Sequence, residues 1–373
     1  MPVSISGTNG VTFPDSSLQA AAASPYVNKN RLINGDMRIS QRNGTSSVTP
    51  VDGQYTLDRW LTVVTQTSKL SIQQNAGSVT PPTGFTNYLG VTSLSAYSIT
   101  ASDFFTVRQY IEGFNTADLA YGTANAQTVT LSFWVRSSLT GTFGGVIFNS
   151  AANRTYVFSY TISAANTWEQ KTITITGDTT GTWLTNNGIG LAVDFTLASG
   201  SNFTRSAGSW STSGFAVTGT TSVVGTNGAT FYITGVQLEI GTSATPFERR
   251  LYNQELANCQ RYYYRISASS NSQPFANAFC DSTTVARGVV PFPVTMRDRP
   301  TALEQSGTAA NYAIVSSPTG QNCTSVPTFS NSTVISSEIN FTIASGLVAG
   351  QGCIIRSGSA SGASAYLGWS AEL

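Results

Sequence analysis

VTLSFWVRS, Val129–Ser137, and IGLAVDF, Ile189–Phe195, decide the fold. In the first, Val129, Leu131, Phe133 and Val135 recur at every second position. In the second, Ile189, Leu191, Val193 and Phe195 do the same, and Ile173 and Ile175 repeat the pattern between the two stretches. A period of two places these side chains on one face of an extended strand, and that face has to be covered. Thr176–Thr182 and Ser199–Gly214, rich in Gly, Asn, Ser and Thr, carry turn chemistry. Short strands separated by such clusters, with no helical period among them, predict an antiparallel jelly-roll β-sandwich over residues 31–249.

Outward from the sandwich the chain changes character twice. Residues 1–30 contain Gly7, Gly10, Pro14 and the small-residue run Ala20–Ala23. They cannot bury a core alone, so they read either as a flexible tail or as an arm that orders against another chain. After Pro246 and Phe247, the spacing of Leu251, Leu256 and Cys259 predicts a helical connector of about two turns within residues 250–265, with Asn253 as a cap for its later part. Alternation then resumes, notably at Ile339, Phe341 and Ile343, which predicts a second, smaller β domain over residues 266–373. There Pro291 and Pro293 point to an edge strand or a bulge.

Composition bounds the function. Only 10% of the 373 residues are charged, the net charge is +1, and no cationic run exceeds Arg249 and Arg250. Counterion release therefore has little to act on, and no nucleic-acid partner is expected. No stretch approaches a membrane span, Met1–Gly10 lacks the features of a secretory leader, and a soluble chain without membrane insertion is expected. Cys259, Cys280, Cys323 and Cys353 have no C-x-x-C spacing. They read either as two disulfides or, for a chain folded in a reducing cytoplasm, as buried thiols, and in neither case as a zinc site. Histidine is absent. That removes every Ser-His and Cys-His nucleophile arrangement.

Three stretches carry a family resemblance: RLINGDMRISQR, Arg31–Arg42, followed by YTLDRW, Tyr55–Trp60; FYITGVQLEIGTSATPFERR, Phe231–Arg250, running into NQELANCQRYYYR, Asn253–Arg265; and FPVTMRDRPT, Phe292–Thr301, with the terminal WSAEL. Together they resemble bacteriophage tail-fibre and minor tail (receptor-binding) proteins. The resemblance implies a sandwich similar to galactose-binding or carbohydrate-binding modules, a small C-terminal β domain for receptor binding or trimer locking, and a homotrimeric fibre. VSISGTNGVTFPDSSLQ, within the first 30 residues, resembles segments that attach fibres to the tail or to other virion proteins. The implied location is the virion, assembled in the host cytoplasm. The implied role is adsorption to a host cell-surface polysaccharide, with a capsid head fibre or decoration protein and a depolymerase tailspike as alternatives.

Candidate contacts follow from side-chain chemistry. A flat ring offers the apolar face of a sugar a large contact at small entropic cost. Trp183 and Trp210, in polar loops, are the aromatic candidates, whereas Trp60, Trp134 and Trp168, in or beside strand patterns, read as core. Of Tyr262, Tyr263 and Tyr264, two are expected in a core and one at a subunit interface. Arg297 and Arg299 suit an acidic sugar through their planar forks, or else fix a strand end or the trimer contact. A depolymerase would need two carboxylates, and Asp103, Glu112, Asp118, Glu169, Asp178 and Asp194 are available. No spacing singles out a pair, so the chain reads as a non-enzymatic binder with no catalytic residue and no cofactor. Asp36 and Asp58 invite a calcium reading, but Asp36 suits a turn and Asp58 a charge pair with Arg59, so no metal is expected.

Overall fold

A computed structural model describes residues 4–6, 10–12, 18–19, 28–316, 320–358 and 364–373. The expected all-β architecture is borne out: two sheets pack as a sandwich, one α-helix follows, and two further sheets form a second domain. The larger sandwich sheet runs, in spatial order, Trp210–Ser211, Thr155–Ile162, Gly141–Phe148, Ile189–Ser199, Phe104–Glu112, Trp60–Val64 and Gln54–Leu57. The smaller runs Glu169–Ile175, Val129–Ser137, Thr230–Ile240, Leu89–Ser93 and Leu70–Gln74. All their pairings are antiparallel; a two-residue parallel pair, Thr204–Arg205 with Ala216–Val217, lies over the larger sheet. Val129, Leu131, Phe133 and Val135 face Leu191, Val193 and Phe195 in one core, with the Phe133 and Phe195 rings edge to face at 4.9 Å.

Residues 1–30 read either as a flexible tail or as an arm that orders against another chain. Their described strands, Ser4–Ser6, Gly10–Thr12 and Leu18–Gln19, pair with one another. Much of the expected attachment arm lies outside the described residues. The connector also differs from expectation: its helix is Tyr252–Gln260, with Leu251 at the N-cap and no side-chain cap. Tyr263–Arg265 already belongs to a strand, Tyr263–Ser267, paired with Tyr366–Ser370. Val285–Pro291 is an interior strand rather than an edge, because Pro291 falls at its end, beyond the residues that pair with Pro274–Cys280. All four cysteines are free and buried. No helix among the described residues is long and apolar enough to cross a membrane.

The stretches that carry the family resemblance converge where the domains meet. Asn34 adopts a left-handed backbone (φ 56°), and its side chain receives the Ile39 amide and donates to the Ile39 and Asp58 carbonyls. The following Gly35 is required by space: a Cβ there would lie 2.1 Å from the Val236 carbonyl oxygen. Asp58 and Arg59 form the tight turn between Gln54–Leu57 and Trp60–Val64, with Leu57 opposite Trp60. They do not pair with each other, because the turn sends their side chains to different partners. Asp58 accepts from the Gln41 amide and side chain, while Arg59 pairs with Glu372, donates to the Tyr110 carbonyl and lies 3.6 Å from the Tyr262 ring centroid. Arg261 forks onto Glu112, which also accepts from the Tyr262 hydroxyl at 2.7 Å. Tyr262 and Tyr263 are fully buried in this junction, while Tyr264 stacks on Trp369 in the second core.

Candidate functional site

Trp183 follows the turn chemistry of Thr176–Thr182, and Trp210 lies at the outer edge of the larger sheet, opposite Tyr156. Their indole N–H groups fasten both rings locally: Trp183 donates to the Thr180 carbonyl at 3.1 Å and Trp210 to the Thr176 carbonyl at 2.7 Å. The two half-buried rings meet edge to face at 5.5 Å, and Tyr121 completes the cluster at 4.9 Å from Trp183 and 5.8 Å from Trp210. Tyr156 braces Trp210 from behind at 5.3 Å. Gly122 permits the closure, since its φ of +84° and the Gly181 carbonyl 2.6 Å from a notional Cβ leave no room for a side chain.

Beside this cluster opens a cavity of about 280 Å³ lined by Leu119, Tyr121, Trp183, Leu184 and Leu191 together with Thr116, Thr123 and Thr185. Its size lies just below the roughly 300–1,000 Å³ usual for small-molecule sites, enough for one ring rather than a chain. The buried Tyr121 hydroxyl has no hydrogen-bond partner among the described residues, and burial, then the charge of Asp178, push its phenol up. An unsatisfied buried hydroxyl calls for an explanation, and a polar group entering the cluster would supply one.

The nearby acids are already engaged. Asp178 takes two 2.7 Å bonds from Arg154, and Asp118 pairs with Arg31 at 2.5 Å. The remaining carboxylate candidates are similarly held. Asp194 is forked by Arg108 and Glu112 by Arg261. Glu169 meets Lys171 and two backbone amides, and Asp103 accepts from Thr65, Tyr97 and the Thr100 amide. Asp36 sits in its turn, 3.2 Å from Arg38, and the described residues contain no cluster of three or more potential metal-ligating side chains.

Arg297 lies behind the loop that carries Trp183, outside the cavity. Its guanidinium donates to the carbonyls of Asn187, Ala371 and Glu372 and so ties the sandwich to the chain end. Arg299 is exposed beside Asp298 and does not line the cavity. Sequence reasoning missed Tyr121, Leu119 and Leu184, which carry no periodic signal. It also placed Trp134 and Trp168 in the core together with Trp60. Trp60 is there, but Trp134 and Trp168 are half-buried on the outer face of the smaller sheet, because Trp134 has the opposite parity to Leu131, Phe133 and Val135.

No family model matches the chain, and no curated protein matches it. Among solved structures, the bacteriophage CBA120 tailspike protein 4 enzymatically active domain aligns over 57% of this chain at 12% identity with a TM-score of 0.33; the chain spans 22% of that structure's length. A CBM4 structure aligns over 56% of this chain and 98% of its own at 14% identity and a TM-score of 0.30. The family 11 carbohydrate-binding module from Clostridium thermocellum, in complex with a β-1,3-1,4-mixed-linked tetrasaccharide, covers 54% of this chain and 100% of its own at 13% identity and a TM-score of 0.29. At such identities and scores none of them carries a function to this chain.

Proposed function

We propose that this chain is a structural subunit of a bacteriophage tail fibre or spike that binds a host cell-surface glycan without cleaving it. The observation that carries the reading is the convergence of Trp183, Trp210 and Tyr121 beside a small, largely apolar cavity whose neighbouring acids are tied to arginines. Rings fixed by their own N–H groups present a rigid stacking surface, and carboxylates held in ion pairs suit binding rather than proton transfer. The phage setting rests on the sequence resemblance described above. A homotrimer fits the exposed Phe279, Val289 and Ile354 on the outer face of the C-terminal domain's larger sheet, a surface that suits subunit packing. Several weak sites held by one oligomer would then act together through high effective concentration.

The test is binding of purified host surface polysaccharide to the full chain, read by tryptophan fluorescence and by release of reducing ends. Light scattering of the same sample should give three times 39.3 kDa. Trp183→Ala should weaken binding by about tenfold, the scale of a lost stacking contact. Release of reducing ends would transfer the chain to the depolymerase reading, and unchanged binding by Trp183→Ala would remove the cavity from the function.

A further inference from the structure

The outer face of the smaller sandwich sheet presents a second aromatic surface on different strands. Register places Gly90, Tyr232 and Arg136 in one cross-strand row, with Thr234 and Trp134 paired in the next. Tyr232 and the buried Tyr88 form the floor, their centroids 5.1 Å apart. Trp168 stands edge-on to Tyr88 at 5.6 Å and is fastened through a 2.9 Å bond from its N–H to the Thr80 carbonyl. Along the same face, Gly235 (φ +62°) lets two rings close over the backbone: a Cβ there would lie 2.6 Å from Phe85 and 3.2 Å from Trp134. Phe247 then packs on Phe85 at 5.2 Å.

Each end of this strip carries a guanidinium over a ring. Arg136 lies 5.4 Å from the Tyr232 centroid and Arg249 lies 4.7 Å from that of Phe85. Arg136 spends its Nε on the Asn166 carbonyl, and among the described residues neither arginine has a carboxylate within ion-pair distance. Elsewhere in the molecule, Arg59, Arg108, Arg154 and Arg261 each hold an acid. Asp36, ion-paired with Arg38, acts on Arg249 only at longer range, so half-exposed rings between two guanidiniums that form no ion pair match a ligand that offers flat apolar faces and negative charge in alternation.

We propose that this face is a second binding site, for saccharides that carry carboxylates. Sugar rings would stack on Trp168, Trp134 and Phe85, and Arg136 and Arg249 would receive the acid groups through charge-assisted hydrogen bonds. Single-stranded nucleic acid shares this chemistry in part, but two cations on a chain of net charge +1 do not make the basic track that a phosphate backbone follows. The site shares no residue with the Tyr121 cavity, so either can fail alone.

The experiment titrates the full chain with oligosaccharides of glucuronate, galacturonate and mannuronate, with their carboxyl-reduced forms, and with a single-stranded oligonucleotide. At least one oligouronate should bind about tenfold tighter than its reduced form, and that difference should shrink at high salt. Arg136→Gln and Arg249→Gln, surface changes that leave the rings in place, should each remove most of the preference, Trp168→Ala should lower affinity for both forms, and Trp183→Ala should leave this binding unchanged. The proposal is overturned by equal binding of acid and reduced forms, by no oligouronate binding, by insensitivity to both arginine changes, by preferential oligonucleotide binding, or by a face shielded in a self-association that these arginines control.

Discussion

Asp58 shows how a single residue's environment sets its chemistry. It is fully buried, and desolvation, partly offset by the Gln41 hydrogen bonds, raises its pKa from 3.8 to about 6. A raised folded-state pKa means that its contribution to stability is complete below 3.8 and is lost as pH rises through 6. Wild-type stability relative to Asp58→Asn should therefore fall by up to about 3 kcal/mol across that interval. Denaturant titrations of both proteins at several pH values check this, and a flat or rising difference would refute it. Gly235 makes a second test at this scale, because alanine there meets both an unfavourable φ and the Phe85 ring. Gly235→Ala should cost about 1–3 kcal/mol in urea unfolding. Trp134 was legible in principle: in VTLSFWVRS, if Leu131, Phe133 and Val135 point inward, Trp134 and Arg136 must point outward. A large aromatic within an apolar run obscured a reading that the parity already contained.

At the scale of elements, the terminal strand Tyr366–Ser370 and the residues after it brace the hairpin Gln54–Val64. Glu372 meets Arg59 across a sequence separation of 313 residues, and Arg59 is only 1% exposed. Burial is the largest single influence and opposes the Arg59 charge, but Glu372 together with Tyr262, Tyr55 and Cys259 outweighs that opposition, so its pKa is raised. Removing the acid leaves a buried cation without its counter-charge, an effect of about 3–5 kcal/mol. Glu372→Ala should thus destabilise the chain by that order in chemical denaturation, while Glu372→Gln, which retains an acceptor, should cost less. The YTLDRW and WSAEL stretches were visible as motifs, yet nothing local to either one announced that they meet.

For the whole molecule, the junction predicts joint unfolding. Arg261 and Tyr262 on Glu112 and Arg59 on Glu372, buried or half-buried, together with the exposed bond of Arg297 to the Asn187 carbonyl, bind sandwich to C-terminal domain. Calorimetry of the full chain should show one transition, and the double change Glu112→Ala with Glu372→Ala should split it in two or broaden it markedly; two transitions in the unaltered chain would show that the junction does not couple the domains. By itself the sequence determined the all-β class, the inward faces of the main strands, the place of the helix and the absence of histidine chemistry, because strand periodicity and residue type are local properties. Only the tertiary structure decided that Trp183, Trp210 and Tyr121 share one cluster, that the motif residues build a junction, and that Trp168 stands against Tyr88 on the outer face that Trp134 and Arg136 share. Those outcomes depend on loop closure and on register between strands distant in sequence, which no local pattern encodes.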